Sequence, residues 1–93
     1  MKTIHKYNID NIRPEFVLLE KNAKVISVRE QADENLMVWI FHDTDAPKDT
    51  EFRFHIYGTG WDMPEDISIS NFIDTVIMSD GFVWHVFCET REA

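Results

Sequence analysis

Hydrophobic residues along this chain recur mostly at every second position. Phe52, Phe54 and Ile56 alternate with Arg53, His55 and Tyr57, the period of a half-buried strand, and Gly58-Thr59-Gly60 then supplies the backbone freedom for a sharp turn. Thr3 to Ile9 alternates weakly and stops at Asp10-Asn11. Pro14 opens a run from Glu15 to Glu20 containing Phe16, Val17, Leu18 and Leu19, which Lys21-Asn22 closes. From Lys24 to Gln31, Ile26 and Val28 fall toward one face, and Val25, Ser27, Arg29 and Gln31 toward the other. That predicts a strand with one wet side, ended by Asp33-Glu34-Asn35. Asn71 to Met78 separates into Phe72, Asp74, Val76 and Met78 on one face and Asn71, Ile73, Thr75 and Ile77 on the other, with Ser79-Asp80-Gly81 as a tight connection onward.

Two segments break the alternation. Leu36 to Phe41 is apolar at every position, and Gly81 to Cys88 has only His85 as a polar interruption. Both are too short for helices and rich in Val, Ile, Phe and Trp, so they predict strands covered on both faces. No window carries a helical stripe, and Met63 to Asn71 holds at most one turn. The prediction is one all-β domain over residues 1–93: an antiparallel meander of about seven strands forming a small sandwich or partly closed barrel. In a meander, Asp43 to Thr50 and Ser79-Asp80 would share one end, and Asp33 to Asn35 and Gly60 to Ser68 the other. A sheet folded on itself covers one face of each strand, so apolar area around Trp39, Phe41 and Trp84 is predicted to remain open for a partner or a second copy.

Composition narrows this further. The 93 residues suffice for one core, to which twelve Phe, Trp and Tyr side chains contribute most of the apolar area. Cys88 is the single cysteine, so no internal disulfide forms, which suits a cytoplasmic location. The first residues lack the apolar core of a signal peptide, and no apolar run approaches the length of a membrane span. The net charge of −8 is uneven: residues 1–41 carry six basic and six acidic side chains, residues 42–93 three basic against eleven acidic. Such an acidic balance disfavours nucleic acid and favours basic partners or a merely solubilising surface.

Phe52-Arg53-Phe54-His55-Ile56-Tyr57-Gly58-Thr59-Gly60 combines with Lys6-Tyr7, Asn22-Ala23-Lys24-Val25-Ile26-Ser27-Val28 and Gly81-Phe82-Val83-Trp84-His85-Val86-Phe87. Together these segments resemble a family of small uncharacterised proteins encoded by phages and prophages. The resemblance spans almost the whole chain. Members usually have Gly-Ala where this chain has Asn22-Ala23, and a strand similar to Val38-Trp39-Ile40. It implies a mobile-element origin and a cytoplasmic accessory role, and it brings no catalytic residues.

Candidate chemistry is sparse. His5, His42, His55 and His85 lack the short spacing that sets two metal ligands together, although histidines on neighbouring strands can still converge. Asp43, Asp45, Asp49 and Glu51 lack the glycine and terminal glutamate of a calcium loop, so Pro47 and Lys48 read as part of a solvated turn. No serine, nor Cys88, sits in a nucleophile motif, and no glycine-rich loop opens a helix. Neither metal, cofactor nor catalytic residue is assigned. The remaining candidate is the corner formed by Tyr57, Gly58, Thr59, Gly60, Trp61 and Asp62, where aromatic rings and turn amides are suited to hold a small molecule. The leading expectation is a non-catalytic binding protein acting on a host protein or through self-association. A small-ligand binder using this corner is second, and a small enzyme third.

Overall fold

Seven strands account for most of the described residues: β1 (Lys2–Asn8), β2 (Val17–Leu19), β3 (Lys24–Gln31), β4 (Asn35–Asp43), β5 (Thr50–Gly58), β6 (Phe72–Ile77) and β7 (Val83–Glu92). A 3-10 turn, Ile69–Asn71, precedes β6. The structure, a computed structural model, describes residues 1–10, 16–31 and 35–93. The turn signals at Asn11, Pro14 and Asp33-Glu34 lie outside them. Among the described residues no α-helix forms, and no helix is long and apolar enough to cross a membrane.

The strands form two antiparallel sheets that are not closed into a barrel. One has the order β1-β4-β3 and the other β2-β5-β7-β6. Only β3 with β4 and β6 with β7 join neighbours in sequence, so the order is not that of a simple meander. The core lies between the sheets. Val38, Ile40 and Val86 are fully excluded from solvent, and Leu19, Val28, Leu36 and Phe52 nearly so.

The order of the second sheet accounts for one of the two unbroken apolar segments. Both β5 and β6 run antiparallel to β7, so they point the same way, and residues 59–71 must travel back along the sheet to connect them. On that return path Pro64, Ile67, Ser68 and Asn71 line a small cavity of about 100 Å3 with Tyr57 and Phe87, on the side of the sheet away from the core. Phe87 is thereby only 5% exposed. The same geometry corrects the expected placement of the loops. The Ser79-Asp80 turn lies at the Gly58–Trp61 end of the molecule, where Asp80 and Trp61 line one cleft, and not with Asp43 to Thr50.

A bulge corrects the expected faces of β3. Its pairing with β4 runs Val25↔Ile40 and then Ser27↔Trp39, leaving Ile26 displaced and 51% exposed. Val25 and Val28 therefore face the core, and Ile26 does not. A second bulge, between Phe72 and Asp74, turns Phe72 onto Phe87 while Ile73 packs against the core.

Cys88 belongs to the core, and burial, assisted by the charge of Glu89, pushes its thiol up to about 12. The thiolate is the reactive form, so at pH 8 only about one part in ten thousand is nucleophilic. Iodoacetamide at that pH is expected to leave the folded protein unmodified for hours and to label it within minutes in urea. Rapid labelling of folded protein would contradict this burial.

Candidate functional site

No described element covers the outer face of the second unbroken apolar segment, in β4. Leu36, Val38 and Ile40 point into the core, while Met37 and Trp39 are half-buried and Phe41 is 40% exposed on the opposite face of the three-stranded sheet. Because β1 and β3 flank β4, three rows cross this outer face: Ile4–Phe41–Lys24, Lys6–Trp39–Ser27 and Asn8–Met37–Arg29. The displaced Ile26 adds apolar area beside them.

Four cations surround these side chains: Lys2, Lys6, Lys24 and Arg29. None is ion-paired with a described residue. Lys6 Nζ donates to Gln31 Oε1 at 2.6 Å, so its aliphatic stem crosses β4 from one edge of the sheet to the other. Arg29 Nε donates to Ser27 Oγ at 3.3 Å. Among the described residues the acidic side chain in register on this face is Asp43, opposite Lys2 at its end. An aromatic and aliphatic strip framed by cations that form no ion pair with a described residue thus occupies one face of a chain whose net charge is −8.

A second feature lies at the end of the sandwich. Trp61 stands edge-on to Trp84, at 5.4 Å between centroids and 83° between planes, and Phe82 lies nearly parallel to Trp84 at 5.8 Å and 18°. The three rings border a cleft of about 430 Å3 floored by Leu36, Ile56 and Met78. Two turns hold it in place. Trp61 N–H donates to Gly58 O at 3.1 Å, and the indole lies so close to Gly58 that a Cβ there would sit 2.7 Å from it. Gly81, at a φ of +94°, closes the other turn, with Gly81 N–H donating to Met78 O at 3.0 Å.

The family described as "Domain of unknown function (DUF7352)" matches residues 1–93. The chain belongs to the DUF7352 family. No match was found among curated proteins or among solved structures.

In this DUF7352 chain the corner expected to hold a ligand is divided. Trp61 lines the cleft, and Gly58 and Thr59 border an adjoining groove with Phe82 and Gly81. Tyr57 faces away from the core, edge-on to Phe87 at 5.8 Å, while Gly60 and Asp62 are exposed and line neither space. The expected interface residues also separate. Trp39 and Phe41 share the outer face of the three-stranded sheet, whereas Trp84 lines the cleft at the end of the other. Lys2, Lys6, Lys24 and Arg29, together with Asp10, Asp80 and Phe82, were not singled out from the sequence.

The four histidines form separate arrangements. His5 and His42 hydrogen-bond at 2.8 Å across β1 and β4, and His42 Nδ1 is buried without a hydrogen-bond partner, 4.0 Å from Glu20 Oε1. His85 is held between Thr59 Oγ1 at 2.7 Å and Thr75 Oγ1 at 2.9 Å, and His55 lies 3.7 Å from Glu89. Among the described residues no three His, Cys, Asp or Glu side chains converge as a metal site. In the acidic turn, Asp43 Oδ1 accepts from Asp45 N–H at 3.0 Å.

Proposed function

We propose that this protein is a non-catalytic binding module whose outer three-stranded sheet face docks an acidic, partly apolar protein surface. The observation that carries this reading is the combination of Trp39, Phe41 and Ile4 with Lys2, Lys6, Lys24 and Arg29 on one face of a net acidic molecule. Solubility alone is served by dispersed charge and polar outer positions, not by an aromatic strip at the centre of a sheet. Aromatic groups framed by cations supply buried area and charge complementarity together.

Two other occupants are less favoured. A symmetric dimer through this face brings two copies of the same basic patch together, so like-charged faces meet. Single-stranded nucleic acid also uses aromatic rings beside basic residues, but the net charge of −8 repels its phosphates at long range. The mobile-element origin implied by the sequence resemblance makes the partner a host protein. Three strands about 4.8 Å apart and roughly seven residues long give a face of about 350 Å2, under half the ~800 Å2 of a standard interface side. Binding is accordingly weak and salt-sensitive.

A fluorescent peptide alternating glutamate with leucine tests this by anisotropy. Affinity should fall about tenfold or more between ~25 mM and ~300 mM salt. It should be lost in Lys6→Glu/Lys24→Glu and kept in Lys48→Glu, which changes an exposed charge in the turn after β4, outside the three strands. Tighter binding of a single-stranded oligonucleotide of equal charge would overturn the reading. So would a dimer in sedimentation equilibrium that Trp39→Glu dissociates.

A further inference from the structure

We infer that the cleft bordered by Trp61, Phe82 and Trp84 binds a small organic cation, an alkylated ammonium compound. At about 430 Å3 the cleft lies within the range of small-molecule sites. Aromatic rings present negative faces to a bound group, and the steep angle between Trp61 and Trp84 sets two of these rings as adjoining walls. No Lys, Arg or His lines the cleft among the described residues, while Asp10 and Asp80 do. Each carboxylate is fixed through one oxygen by a backbone amide. Leu36 N–H donates to Asp10 Oδ2 at 3.4 Å, and Phe82 N–H donates to Asp80 Oδ1 at 3.0 Å. Among the described residues the second oxygen of each accepts no hydrogen bond, and neither carboxylate is ion-paired.

These features select among ligands. An anion is repelled by both carboxylates and by the ring faces. A neutral apolar molecule fills the space but strips water from Asp10 and Asp80 without compensating them. A compact ammonium retaining many hydrogen-bond donors loses more hydration on entry than one whose donors are replaced by methyl groups. An alkylated cation matches the walls with its methyl groups and the rim with its charge.

Choline and tetramethylammonium are the probes, followed by tryptophan fluorescence and calorimetry, with dimethylbutanol as the uncharged isostere of choline. Saturable binding is expected, with choline preferred to the isostere by about tenfold or more. Trp61→Ala and Asp80→Asn should each weaken binding about tenfold with an unchanged melting temperature, because Trp61 is 58% exposed and Asp80 is exposed in a turn. Gly58→Ala should weaken it similarly by displacing the indole while retaining it. Trp39→Ala, on the separate sheet face, should leave it unchanged. Equal affinity for choline and dimethylbutanol, no saturation below about 10 mM, or undiminished binding in Trp61→Ala would each overturn the inference.

Discussion

Ile40→Glu is expected to leave the chain unfolded at 25 °C, whereas Phe41→Glu, one residue further on, should fold. Ile40 is completely buried between Val25 and the opposite sheet, and Phe41 is 40% exposed on the outer face. Replacing Ile40 forfeits about 2 to 3 kcal/mol of apolar burial and adds an uncompensated buried carboxylate costing several kcal/mol more. Domains of this size have only about 5 to 15 kcal/mol of total stability. Phe41→Glu loses partial burial alone, about 1 kcal/mol. Circular dichroism melting curves of the two variants measure the difference. A folded Ile40→Glu protein would mean that β4 had turned its other face inward.

Phe87→Ala should lower the melting temperature by about 15 to 25 °C. The ring is 5% exposed, edge-on to Tyr57 at 5.8 Å and to Phe72 at 5.5 Å, beneath the segment that returns from β5 to β6. Truncating a buried phenylalanine costs about 3 to 4 kcal/mol, and each kcal/mol shifts the midpoint of a domain this small by about 4 to 8 °C. Amides of residues 64–71 should also exchange faster with solvent. Phe82→Ala, at an exposed ring, should change the midpoint by only a few degrees. A similarly small change in Phe87→Ala would show that the returning segment does not depend on that ring.

Strand identity was legible because it depends on period two, a local property. Lys24–Gln31 is recovered with the expected limits, and the other strands within a few residues. What a segment apolar on both faces withholds is which face turns inward. Leu36 to Phe41 and Gly81 to Cys88 look alike in sequence, yet the connection 59–71 covers β7 while no described element covers β4. That difference follows from strand order, which depends on pairings far apart in the chain.

The basic face was hidden for a related reason. Charges in residues 1–41 balance when counted, and only pairing of β1 and β3 to either side of β4 gathers the cations. Lys24 and Arg29 differ in parity, so strict alternation places them on opposite faces, and the bulge at Ile26 reunites them. Trp61 was legible as an unusual aromatic after a glycine turn. Its companions Phe82 and Trp84 come from the turn and strand that the topology brings to the same end.

The strand order also sets a timetable during synthesis. Among the described residues β1 pairs only with β4, and β2 only with β5, so each must wait while roughly thirty further residues are made. At about 5 to 20 residues per second the delay is on the order of 2 to 6 seconds. The two strands that wait are suited to it. In β1 only Ile4 and Tyr7 of seven residues are apolar, and two lysines interrupt it, while β2 is three residues long. The stickier β4 emerges after both of its neighbours, β1 and β3, so neither of its backbone edges need stand unpaired while the second sheet is still being made.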